Sequence, residues 1–165
     1  MKELIGRRKF RLVGIRSNGP FAEFGTIVPD VAREVMARSC EIKSSSGTEI
    51  AVFEPKRSDD HLQGEFIAGL LVEQPMRDVP VGMTYIEIEG KFATARGNTT
   101  GLKDLHADLL KWAACHGYKI DQNEYIVEIY FPADHGEDVE IYLPLLSRES
   151  HPNGQATSKA SDIFW

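Results

Sequence analysis

The sequence predicts an α+β domain in which a β-α-β-β unit occurs twice in tandem. The expected architecture is a mainly antiparallel sheet with two helices on one face and a central cleft. Segments that alternate apolar and polar residues, as strands do, surround two segments with helical periodicity. The order strand, helix, strand, strand occurs twice, and the copies align at an offset of 75 residues without a gap. Two such units side by side create a cleft at a pseudo-twofold axis, where ligand sites often form.

Six strands are expected from runs of Val, Ile, Tyr and Phe, which favour strands, bounded by Gly, Pro, Asn and Ser. Ser17-Asn18-Gly19-Pro20 is a turn signal that ends the first strand, and a linker at 74–81 separates the units. The predicted strands are residues 9–16, 49–54 and 64–73 in the first unit, and 82–95, 125–132 and 138–145 in the second.

The two helices are predicted from apolar residues spaced three and four apart. The first lies in the second part of the segment 21–40, with Pro29 in its first turns, where a missing N–H is tolerated. The second spans 102–116, follows the N-cap signal of residues 97–101 and ends at Gly117.

We therefore expect one domain over 1–165, made of half-repeats 9–73 and 82–146 and a tail, 147–165. The gapless offset matches Phe10 with Tyr85 and Ala32 with Ala107. The last three residues of the tail, Ile163-Phe164-Trp165, are expected to dock into a groove of this chain or of a neighbour.

Charge and cysteine content exclude several classes of protein. The net charge of −6 argues against nucleic-acid binding, which needs a basic stripe. No apolar run is long enough for a transmembrane helix, and residues 1–8 lack the apolar core of a signal peptide. Cys40 and Cys115 are too few for a disulfide framework and are expected to be buried small residues. A cytoplasmic protein, monomeric or homodimeric and without membrane contact, is the expectation.

Glu128 is the candidate functional residue, because a carboxylate in an apolar strand is costly unless something pairs with it. Strand alternation puts it on one face with Ile126 and Tyr130. The offset of 75 matches it with Phe53. A purely structural core would accept an apolar residue in both units, so the asymmetry favours a site at Glu128.

The second unit resembles the GyrI-like small-molecule-binding family, which includes effector-binding domains of AraC-type and multidrug-responsive transcription regulators. The resemblance covers most of 10–146 and is carried by Leu109-Leu110-Lys111-Trp112, Gly117-Tyr118, the strand 125–130 and the segment 139–145. It implies the same tandem β-α-β-β fold, with a strand glutamate at the base of an aromatic-lined cleft. The chain has no helix-turn-helix region, so a stand-alone member of the family is expected.

The resemblance implies that Glu128 binds the ligand and that Tyr142 holds an aromatic position of the cleft. Trp112 matches the tryptophan of the family's second helix. His106 stands where many members have a tyrosine, which removes a ring and adds a titratable group. The full expected ligand-binding set is Glu128, Tyr142, Tyr130, Tyr85, Phe66, His106 and Trp112.

Three functions remain open from the sequence. A carboxylate among aromatic rings suits a small hydrophobic or cationic compound, as in multidrug binding. The same glutamate suits a hydrolase of an electrophilic small molecule, with Glu128 as general base and Tyr142, Tyr85 or His106 as acid or orienting group. The third is a protein-binding inhibitor, for example of a topoisomerase. No cofactor is expected, and no metal, because the acidic and histidine residues of the loops lack zinc-like spacing.

Overall fold

The computed structural model describes residues 2–134 and 136–146. Six strands and two α-helices alternate in the predicted order, and the α+β prediction is confirmed. The expected docking of Ile163-Phe164-Trp165 lies outside the described residues. The elements are β1 (Leu4–Pro20), α1 (Phe24–Ala37), β2 (Ser45–Phe53), β3 (Gln63–Val72), β4 (Thr84–Asn98), α2 (Leu102–Cys115), β5 (Ile126–Pro132) and β6 (Glu137–Pro144).

The strands close into an antiparallel barrel in the order β1-β3-β2-β5-β6-β4, with β4 paired back onto β1. Closure comes from the first strand of each unit, since β1 and β4 pair from Leu4 opposite Thr94 to Gly14 opposite Thr84. The sequence predicted shorter versions of both strands and a mainly antiparallel sheet, without the closure into a barrel. The first residues of β1 could not be predicted from the sequence, because basic residues such as Arg7 and Arg8 interrupt the alternation of apolar and polar residues there.

The barrel interior is one of two separate packing regions. Residues from all six strands fill it: Phe10, Leu12, Ile50, Val52, Ile67, Ile88, Phe92, Val127, Ile129 and Tyr142. The alternate residues of each strand face outward, and the helices cover them. On this outer face α1 packs over β1–β3, and α2 packs over β4 and β6.

Each helix buries one apolar stripe against the barrel, as its periodicity predicts. The buried residues are Val28, Ala32 and Val35 in α1 and Leu105, Leu109 and Ala113 in α2. Asn98 caps the turn before α2 through its side-chain oxygen, 2.9 Å from the backbone N of Thr100. The gap between the two helices lies over the β2–β5 pair, and the candidate site is in this gap.

The gapless repeat was wrong for the first part of each unit. Helices α1 and α2 both have 14 residues and begin at Phe24 and Leu102, an offset of 78. The strand registers then return to an offset of 75 for β2 with β5 and for β3 with β6. The second unit is therefore three residues shorter after its helix, and Phe10 corresponds to Ile88 rather than to Tyr85. The match of Phe53 with Glu128 is unaffected.

The two cysteines and the lengths of the helices complete the description of the fold. Cys40 and Cys115 are both exposed, contrary to expectation, because Cys40 lies three residues beyond the end of α1 and Cys115 is the last residue of α2, past the buried stripe of each helix. Within the described residues, no helix is long and apolar enough to cross a membrane.

Candidate functional site

A cavity of about 910 Å³ lies between the first turns of α1 and α2, with the paired strands β2 and β5 as its floor. Four aromatic rings contribute to its wall: Phe21, Phe24, Phe53 and Tyr130. Volumes of this size accommodate drug-sized molecules. The cavity is at the junction of the two β-α-β-β units, where the sequence predicted a cleft.

Glu128 lies at the centre of the cavity floor. Among the described residues it is the only buried side chain classed as polar or charged, with 7 % of its side chain exposed. Its Oε1 accepts a hydrogen bond from the Tyr130 hydroxyl, and its Oε2 lies 2.5 Å from His106 Nε2. These two partners are the compensation that a buried carboxylate requires.

Local structure explains how the three groups meet. Glu128 and Tyr130 are two residues apart in β5, so both side chains point outward from the barrel, while Val127 and Ile129 point inward. His106 lies in the second turn of α2 and reaches down to the strand from above. Its side chain is 26 % exposed, so the pair lies at the boundary between the protein interior and the open cavity.

The Tyr130 phenol is held in its neutral form. Burial raises its pKa well above the usual range, and the negative charges of Glu128, Glu49 and Glu137 raise it further. The hydroxyl therefore remains a hydrogen-bond donor to Glu128 at any physiological pH.

The two ends of the cavity differ in charge. Glu49 lies opposite Tyr130 in the β2–β5 pair, and both Glu49 and Glu137 line the cavity. Burial, and secondly the charge of Glu137, raises the pKa of the Glu49 carboxyl, while Arg33 acts in the other direction. Lys56 and Lys103 line the other end, which extends beyond Phe53 and His106.

Pro29 interrupts the backbone hydrogen bonding of α1 beside the cavity. Pro29 lies in the sixth position of α1 and has no N–H to donate to the carbonyl of Gly25, four residues earlier. Both residues line the cavity. The Gly25 carbonyl therefore lacks the hydrogen bond that it would accept from the backbone N–H of residue 29 in a regular helix.

Comparisons with known proteins identify the fold. No protein-family model and no curated protein matches the sequence. Among solved structures, SAV2435 bound to tetraphenylphosphonium matches with a TM-score of 0.67 and 11% identity, over 92% of this chain and 98% of that one. The EcmrR C-terminal domain matches with a TM-score of 0.55 and 13% identity, over 89% of this chain and 98% of that one. These likenesses fit the GyrI-like fold that the sequence predicted. The present chain has the GyrI-like fold.

A hydrolase from Listeria innocua shares this fold, with a TM-score of 0.53 and 10% identity over 86% of this chain and 91% of that one. The same fold therefore occurs both in a protein that binds tetraphenylphosphonium and in a hydrolase. At these identities the likeness concerns the fold alone, so the site has to be argued from its own residues.

The GyrI-like fold brings three of the seven predicted ligand residues to the cavity, namely Glu128, Tyr130 and His106. Tyr142 was expected there, but it points into the barrel, where it is 1% exposed and packs on Phe10 at 4.9 Å between ring centroids. Its hydroxyl meets Arg8 Nη1 at 3.0 Å and Glu140 Oε1 at 2.7 Å. The reason is alternation, since Ile141 and Leu143 of β6 take the outward positions under α2.

The other three predicted residues lie away from the cavity wall. Phe66 is fully buried beneath α1, with its ring 5.3 Å from that of Phe24. Tyr85 donates its hydroxyl to Glu87 at 2.5 Å on the far side of the barrel. Trp112 packs with the α2 cluster, and its ring lies 4.3 Å from that of His116.

Sequence reasoning missed most of the cavity wall. Phe21 and Phe24 precede the periodic part of α1, where the pattern gives no signal for a wall residue. Lys56 lies in a charged loop that no sequence pattern assigned to a site, and Lys103 carried no signal of its own. Phe53 was singled out only as the counterpart of Glu128, and that equivalence was the available signal, because the two residues occupy related positions on the shared floor.

Proposed function

We propose that this protein binds a small hydrophobic compound with a positive charge in the cavity between α1 and α2. The observation that carries the proposal is the buried Glu128 carboxylate at the floor of an aromatic-walled cavity of about 910 Å³. The bound tetraphenylphosphonium of SAV2435, which has the same fold, supports the choice of a lipophilic cation.

The rings and the carboxylates act on different parts of such a ligand. Phe21, Phe24 and Phe53 offer apolar surface and ring faces, and a cation over a ring face gains about 0.5–2 kcal/mol. Glu49 and Glu128 provide negative charge in a partly desolvated setting, where attraction to a cation is stronger than in water.

His106 is the side chain with which the ligand competes. Both carboxylate oxygens of Glu128 are already bonded within the protein, one by Tyr130 and one by His106. The side chain of His106 is 26 % exposed and lines the cavity, whereas burial is the main influence on the pKa of the Tyr130 phenol. A cationic group that reaches Oε2 therefore displaces the imidazole, while Tyr130 continues to hold Oε1.

Calorimetric titration with tetraphenylphosphonium tests the proposal. We expect wild-type protein to bind and Glu128→Gln to bind at least tenfold more weakly, because the substitution removes the charge and keeps the shape. Glu34→Gln, the same chemical change on the exposed face of α1, is the matched control and keeps wild-type affinity. Absence of binding by the wild type, or equal affinity of Glu128→Gln, would refute the proposal and favour the protein-binding alternative.

A hydrolase is the second candidate, favoured by the bond between His106 and Glu128. A carboxylate that holds one imidazole nitrogen orients the ring, so that the other nitrogen can act as a general base. A water molecule would lose its proton to His106 and attack the electrophilic carbon, and the leaving oxygen would take that proton from the imidazolium. Tyr142 and Tyr85, expected as possible acids, are too remote for this role.

Hydrolysis of styrene oxide and of 4-nitrophenyl esters distinguishes this candidate from a binding protein. Turnover that is lost in both His106→Gln and Glu128→Gln would support a hydrolase. Ligand binding without turnover in the wild type would reject it for these substrates.

A further inference from the structure

We propose that the ligand carries, in addition to its positive charge, an anionic group that binds between Lys56 and Lys103, so that the compound is a hydrophobic zwitterion. This inference rests on the proposed function, because it concerns the same cavity. It extends that function by assigning a second charge of the ligand and the two residues that recognise it.

The two lysines stand where two cavities meet. A second cavity, of about 320 Å³, lies on the other side of His106, and its remaining wall includes Leu110 and Ile126. Lys56, Lys103 and His106 line both cavities. A group bound at this boundary is thus surrounded by two ammonium groups and an imidazole, with apolar space on either side.

Neither lysine is paired with a carboxylate in the part of the chain that the structure describes. Within residues 2–134 and 136–146, no carboxylate forms an ion pair with Lys56 or Lys103. The neighbouring Arg57 behaves differently, since its Nη1 lies 2.7 Å from Glu54 Oε2. Two exposed, unpaired ammonium groups at a cavity mouth are free to bind an anion.

Lys103 is also unusual in its position along α2. It is the second residue of the helix, and the partial positive charge of a helix N-terminus disfavours a cation there. Thr99 and Leu102, at the same end of the helix, line the main cavity. An anion at the mouth relieves this repulsion, because it interacts favourably with both the lysine and the helix end.

The distance between the two charged ends gives the ligand an approximate length. Glu49 and Phe53 are four residues apart in β2, or about 13 Å along an extended strand, and Lys56 follows three residues later. The acidic end has Glu49 and Glu137, with Arg33 beside them and paired to Asp30. The aromatic middle of the cavity separates it from the basic end at Lys56 and Lys103. A compound with an apolar body and charges at its two ends matches this order.

A fluorescent probe series with one apolar body and three end groups tests the inference. The probes are 1-pyrenebutyrate, 1-pyrenebutanol and 1-pyrenebutylammonium, and affinity is measured by fluorescence anisotropy at pH 7. We expect the wild type to bind the carboxylate at least tenfold more tightly than the alcohol. The double variant Lys56→Gln/Lys103→Gln should lose this preference while its affinity for the ammonium probe does not fall. Glu128→Gln should show the converse, a loss confined to the ammonium probe.

The matched control is Lys43→Gln/Lys111→Gln, which removes the same charge from exposed positions outside both cavities and should leave all three affinities as in the wild type. Equal binding of the carboxylate and the alcohol by the wild type, or the same loss in the control variant, would overturn the inference while the ammonium probe still tests the proposed function. Failure of all three probes to bind would instead reject the proposed function and this inference with it.

Discussion

The bond between Glu128 and His106 yields a quantitative prediction for protein stability. His106→Ala leaves a carboxylate that is 7 % exposed without the hydrogen-bond partner of its Oε2 atom. A hydrogen bond to a charged group contributes about 1.5–3 kcal/mol, and breaking a fully buried ion pair costs about 3–5 kcal/mol. Because His106 is 26 % exposed and water can enter its place, we expect the lower range, a cost of about 1.5–3 kcal/mol.

Glu128→Gln should be milder, at about 1 kcal/mol or less, because a neutral amide still accepts from Tyr130 and removes the buried charge. In the Glu128→Gln background, His106→Ala no longer strands a charge. The loss of unfolding free energy in the double variant should therefore be about 1–2 kcal/mol smaller than the sum of the losses in the two single variants.

Equilibrium unfolding in urea at pH 7 measures all four proteins of this cycle, with equal m-values as the condition for comparison. His116→Ala, the same change at the end of α2, is the control and should add to Glu128→Gln without coupling, because His116 bonds the Trp112 carbonyl instead. If His106→Ala and Glu128→Gln are additive within about 0.5 kcal/mol, the pair carries no special interaction and the reasoning about the buried charge is wrong.

Two further predictions concern Tyr130 and a pair of glycines. Because the pKa of Tyr130 is raised in the folded protein, the contribution of its neutral phenol to stability is complete below the unfolded pKa near 10 and is lost as the pH rises above that value. Urea unfolding from pH 8 to 11 measures this loss. Over that range Tyr130→Phe should lose less stability than the wild type, by up to about 1.4 kcal/mol per pH unit. An unchanged alkaline slope would contradict the assignment. A Cβ on Gly69 would lie 2.0 Å from the Val13 carbonyl oxygen, so Gly69→Ala should cost about 1–3 kcal/mol or more, whereas Gly6→Ala, with open space around it, should be near neutral by thermal unfolding.

Local sequence determined the elements and their order. Alternation in β5 assigned Glu128 and Tyr130 to the same face, and periodicity located the apolar stripes of α1 and α2, because both signals depend only on near neighbours in the chain. The mismatch of Phe53 and Glu128 pointed to the cavity floor for a related reason. The residue at the equivalent position of the other unit shows which residue type a symmetric structure would have, and a departure from it needs another explanation.

Tertiary structure decided barrel closure and which rings line the cavity. Closure depends on pairing between β1 and β4, about 80 residues apart, and no local pattern records such a partner. It also turned Tyr142 inward, because a closed barrel has an interior to fill and the outward positions of β6 belong to α2. The grouping of Phe21, Lys56 and Lys103 around Glu128 follows from how the helices lie across the strands, a long-range arrangement that the spacing of residues does not encode.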